Sequence, residues 1–103
     1  MSAILHVVVA ATADGDNTVV AAVTGKKIIV VAYQFGHTST GIVTWRSGAA
    51  GTIHMTATAA AAGSYTFAGS RDVPAWIGDL SAALVCNVQA GTDCIGRVSY
   101  YFQ

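Results

Sequence analysis

Apolar residues fall at every second position in several short runs, with Gly, Asp, Asn and Ser between the runs. That is the period of half-buried β-strands. In "TGIVTWRSG", Val43 and Trp45 share one side and Thr44 and Arg46 the other. "GTIHMTAT" places Ile53, Met55 and Ala57 inward and Thr52, His54 and Thr56 outward, and "RVSYYFQ" puts Val98, Tyr100 and Phe102 opposite Arg97, Ser99 and Tyr101. Turn signals recur about every ten residues, and the pattern predicts strands near 4–11, 18–23, 27–35, 41–47, 52–58, 64–68, 82–89 and 95–102. The expected fold is all-β: a single domain over residues 1–103, a jelly-roll-like antiparallel β-sandwich of about eight strands. Residues 1–17 form a first strand or arm and a turn, with exchange into a neighbouring subunit as an option.

One run departs from simple alternation. In "KKIIVVAYQF", Ile29, Val31, Tyr33 and Phe35 line one face, while Ile28, Val30 and Ala32 make the other equally apolar. A strand that is apolar on both faces is covered on both. In a small sandwich the second cover must be another layer or another subunit. Helix is poorly supported. The best stretch, "TATAAAAGSY", is short, flanked by Thr and stopped by Gly63, so it predicts a turn. The lone proline, Pro74, sits in "GSRDVPAWIGD", read as a surface crossing. "MSAILHVVVAATADG" contains an A-x-A pattern but lacks a basic leading segment, and His6 interrupts its apolar stretch. It reads as a strand of a protein made in the cytoplasm rather than a signal peptide. No run approaches the roughly 20 apolar residues of a membrane span.

Composition changes the picture in one respect. Charged residues make up only 10% of the 103, with five Lys/Arg balancing five acidic residues, all Asp. An ordinary soluble domain carries about 25%. So little charge, with no net excess, leaves scant repulsion between copies, and this predicts a protein that hides surface in an assembly. The cations Lys26, Lys27, Arg46, Arg71 and Arg97 are scattered, whereas a nucleic-acid face needs them concentrated.

Candidate chemistry is thin. Gly25-Lys26 would fit a phosphate loop only with Gly at position 20 and Ser or Thr at 27, where Val20 and Lys27 stand. Thr24-Gly25 is read instead as a hairpin turn. "ADGDNT" begins like a calcium loop, but Val19 and Gly25 occupy the positions of its required Gly and Glu, so it is read as a turn. His6, His37 and His54 lack metal-ligand spacing, and no cofactor or metal site is expected. If residues 82–89 and 95–102 form a hairpin, Cys86 and Cys94 fall opposite each other and either bridge as a disulfide or remain two thiols, structural in both cases. No G-x-S-x-G, no Glu and no paired acid–base set point to an enzyme. Trp76, a large ring in the polar crossing, needs a pocket or a partner.

From Val19 onward, the residues "AAVTGKKIIVVAY", "VTWRSG", "TAAAAGSY", "GDLSAALV" and "GRVSYYF" resemble a small β-sandwich domain of tailed-bacteriophage structural proteins. The resemblance rests on Gly25-Lys26 entering an apolar strand, Val43-Trp45-Ser47-Gly48, and a turn at Ala61-Ala62-Gly63. Gly78-Asp79-Leu80 with Ser81-Ala82-Ala83, and a closing Gly96-Val98-Tyr100 strand, complete it. The "TIHMT" stretch and the Cys-bounded loop depart from that pattern. The resemblance implies a virion structural protein, foremost a capsid decoration (cement) protein on the head surface. It would act as a homotrimer bound to the major capsid protein, with neither nucleic acid nor membrane as partner. The alternative it implies is a tail or fibre module recognising a host surface glycan. On this reading Ile28, Val30, Ala32 and Tyr101 face sister subunits, and Trp76 contacts the shell.

Overall fold

The computed structural model describes residues 3–49, 51–59 and 63–103. The predicted turn at Ala61-Ala62 lies outside the described residues. The strands are β1 (Leu5–Ala11), β2 (Gly15–Val20), β3 (Ile28–His37), β4 (Gly41–Ser47), β5 (Ile53–Ala59), β6 (Gly63–Phe67), β7 (Trp76–Ile77), β8 (Leu84–Val88) and β9 (Cys94–Phe102). They build two antiparallel sheets, β1-β9-β3-β6, with β7 added on β3, and β2-β8-β4-β5. Without the two-residue β7, each strand of one sheet faces its neighbour in sequence in the other: β1 over β2, β9 over β8, β3 over β4, β6 over β5. This is the jelly-roll order, and the expected all-β sandwich is the fold.

Both inner faces come from the alternating runs. Trp45, Val43 and Val88 from one sheet meet Phe35, Val9 and Val98 from the other, all essentially sealed from solvent. Trp45 packs its ring 5.6 Å from that of Phe35 and 5.9 Å from that of Trp76. β2 starts three residues earlier than predicted. Asp16 and Asn17, read as turn residues, pair in register with Asn87 and Cys86 of β8, and Asn87 Nδ2 donates to Asp16 Oδ1 at 2.8 Å. β1 finds its partner within the chain, running from Leu5↔Tyr100 to Ala11↔Cys94, so no exchange is needed to pair it.

Two expected hairpins are sheet-to-sheet crossings. The turn at Thr24-Gly25 is real, with Lys26 N donating to Val23 O at 3.0 Å and Gly25 at φ 78°, but β2 and β3 lie in opposite sheets. β8 and β9 likewise belong to different sheets, which removes the proposed cysteine hairpin.

The strand apolar on both faces is covered by its own chain. Ile28, Ile29, Val30 and Val31 are 3%, 1%, 0% and 3% exposed. A bulge between Val30 and Ala32 shifts the pleat, so Ile28 and Val30 join Phe35 and Tyr33 on the core side while Ala32 and Gln34 turn outward. The Pro74 crossing supplies the second cover. Ala75 N donates to Val30 O at 2.8 Å, Gly78 N to Ile28 O at 2.9 Å, and β7 extends the β6 edge of β3. Ile29 lies between Tyr101 and Ile77 in register, and the Arg71 guanidinium sits 4.4 Å above the Tyr101 ring.

Candidate functional site

Where β4 pairs with β5, the register slips between Trp45 and Arg46, so that Trp45 faces Met55 and Arg46 faces Ile53. The slip reverses the expected sides. Ile53, predicted inward, is 55% exposed. His54, predicted outward, lies parallel to the Trp76 indole, 2° between planes and 5.8 Å between centroids. Tyr33 stands 5.8 Å from Trp76 and stacks on Phe67 at 5.9 Å. With Met55 and Ala75 these rings line a cleft of about 270 Å³ between the β5 and β6 edges. The Trp76 Nε1 is buried without a hydrogen-bond partner among the described residues.

Behind the cleft, Ser47 Oγ and His54 Nε2 are 2.7 Å apart, and Asp79 N donates to the same Oγ at 2.9 Å. Asp79 Oδ2 accepts from Thr52 Oγ1 at 2.7 Å. Burial pushes the His54 pKa down from its ordinary 6.5, against a smaller upward pull from the Asp79 charge, so the neutral ring is favoured. Ser47 and His54 have the separation of a nucleophile and its base. Ser47 is buried, however, and Asp79 engages Thr52, which makes the cluster a clamp between the β4–β5 hairpin and the 78–83 turn. Nothing in the local sequence signals it, because these residues converge only through the register slip and the crossing.

The same end of the sandwich gathers the loops 21–27, 48–52 and 68–83. Ser81 N donates to Lys26 O at 2.7 Å, Gly25 N to Ser81 Oγ at 2.8 Å, and Gly48 N to Ala83 O at 2.8 Å. Ser81 holds φ 58°, the left-handed region, with its side chain fixed by that Gly25 bond. The start of β1 lies at this end too. Most of the exposed large aliphatic side chains are here: Leu5, Val23, Ile53, Val73, Ile77 and Leu80, the last 61% exposed.

The outer face of the β1-β9-β3-β6 sheet carries two adjoining hollows. One, about 460 Å³, is lined by Val8, Ile95, Gly36, Gly96 and Ser64, and the other, about 220 Å³, by Ala32, Thr66, Ala68 and Ser99. Gln34 and Arg97, cross-strand partners, border both. Tyr33 and Phe67 line the second hollow and also the aromatic cleft.

Of the residues expected at an interface, Ile28 and Val30 are sealed in the core of the single chain and present nothing to a partner. Trp76 also packs in the core. Ala32 lies in the outer-face hollows, and Tyr101 lies under Arg71 near the apolar end. Cys86 and Cys94 are free thiols, fully buried, which approach each other across the sandwich from opposite sheets. A hydrogen bond with Cys94, together with burial, raises the Cys86 pKa, so that thiol stays protonated and unreactive in the closed core. No family model matches the chain, and no curated protein matches it.

Proposed function

We propose that this protein is a virion structural component, a decoration protein that coats a phage head shell and is buried through its apolar end against sister protomers and the major capsid protein. The observation that carries this reading is the gathering of exposed Leu5, Val23, Ile53, Val73, Ile77 and Leu80 at one end of a domain with 10% charged residues. The resemblance of the turn and strand motifs to tailed-phage structural domains agrees with it, as does the use of jelly rolls in capsids. The apolar strand β3, covered by its own chain, no longer argues for assembly, so the interface moves to this end, with Tyr101 at its border. Many weak contacts repeated around a shell reinforce a lattice without any one of them being strong. Sedimentation of the purified protein with and without expanded, DNA-free shells tests the proposal. Co-sedimentation in stoichiometric amounts and a trimer in free solution are expected. Failure to bind shells, with a monomer at high concentration, overturns it.

The aromatic cleft favours a second reading, a tail or fibre module that recognises a host glycan. The partly exposed Tyr33, Phe67 and His54 line the cleft with rings of the kind against which sugars pack, with Trp76 buried against His54. Glycan binding in solution without shell affinity is the outcome that selects it.

A further inference from the structure

We infer that the outer face of the β1-β9-β3-β6 sheet is a binding site for an acidic saccharide, with Arg97 taking its ring carboxylate. This deepens the glycan reading above and rests on it for the class of ligand.

Arg97 is exposed, and its side chain forms no ion pair or hydrogen bond with any described residue. It stands between the two hollows, beside Gln34 on the neighbouring strand. A planar guanidinium next to a carboxamide suits a carboxylate, which accepts two parallel N–H bonds while the amide reaches an adjacent hydroxyl. Around this pair the lining is hydroxylic at Ser64, Thr66 and Ser99 and apolar at Val8 and Ile95. That mixture fits a pyranose, whose hydroxyls need donors and acceptors and whose C–H face needs an apolar wall. Gly36 and Gly96 add backbone to the lining of the larger hollow, about 460 Å³.

Competing occupants fit less well. A nucleic acid needs several phosphate-binding cations, and one stands here. An extended peptide adds to a sheet edge rather than lying across its face. A bare inorganic anion has no use for Val8 and Ile95.

The test is amide NMR titration of the whole protein with a glucuronate-containing disaccharide, its neutral glucose counterpart and a glucose phosphate, repeated on Arg97→Gln. The glucuronate disaccharide is expected to move the Gly36 and Gly96 amides and to bind more tightly than the neutral sugar. Its affinity should fall roughly tenfold or more in Arg97→Gln, the range for a charged hydrogen bond. An unchanged spectrum away from the face shows that the variant keeps its fold. Equal binding of acidic and neutral sugars, or binding indifferent to Arg97→Gln, overturns the acidic assignment and leaves the glycan reading standing. Binding of the phosphate alone overturns the carboxylate assignment. No response to any of the three overturns the inference and the glycan reading together.

Discussion

His37 is an ill-matched residue in this core. It is 4% exposed, both ring nitrogens lack hydrogen-bond partners among the described residues, and its neighbours include the rings of Phe35 and Tyr65, 6.4 and 5.5 Å away. Burial lowers its pKa from 6.5, and the same holds at His54. Below about pH 6.5 the unfolded chain takes up protons that the folded chain resists. The stability these two histidines contribute is therefore present above that pH and lost as the pH falls toward their folded pKa values. The thermal midpoint should drop between pH 7.5 and 5.0, and His37→Leu should shrink that drop. Cys86 and Cys94 make a second residue-scale prediction. Intact mass should show two thiols, unlabelled by an alkylating reagent in native buffer and both labelled in denaturant, since only opening of the core exposes them.

At the scale of the strand, legibility followed the pleat. β4 and β9 keep a strict two-residue period, and Val43, Trp45 and Val98 sit in the core where alternation put them. β3 and β5 each carry an irregularity, and there the prediction failed: Ile28 and Val30 turned inward, Ile53 outward, and His54 onto Trp76. A single extra residue inverts the face of everything beyond it, and side-chain pattern alone does not mark the extra residue. Turn residues were equally ambiguous. Gly25 and Gly91 do turn the chain at φ 78° and 88°, yet a turn signal does not say whether the next strand stays in the same sheet. The cysteines were therefore brought together by the wrong route, and the Ser47–His54–Asp79 clamp had no local signature at all. Gly96 offers a test of the close β3–β9 approach. A Cβ there would collide with the Gln34 carbonyl and the Phe35 backbone. Gly96→Ala should cost about 2 kcal/mol or more, read as a lowered urea midpoint with an unchanged slope.

Across the whole molecule, exposed grease and scarce charge act together. A domain with five cations, five aspartates and an apolar end associates chiefly by burying that end. Salt then has little to screen, so self-association should hold or strengthen from low to high salt, as measured by sedimentation velocity. Leu80→Asp, on a side chain 61% exposed, should weaken association sharply while leaving the monomer's melting temperature within a degree or two.

The pairing of Leu5 with Tyr100 carries a cost in time. A ribosome adding roughly 5 to 20 residues per second leaves the first strand waiting some 5 to 20 s before its mate emerges. Throughout that interval Val7 and Val9 lack the neighbour that will shelter them. Crowded translation of many copies is thus the moment of greatest risk of misassembly, and the arrival of β9 is what ends it.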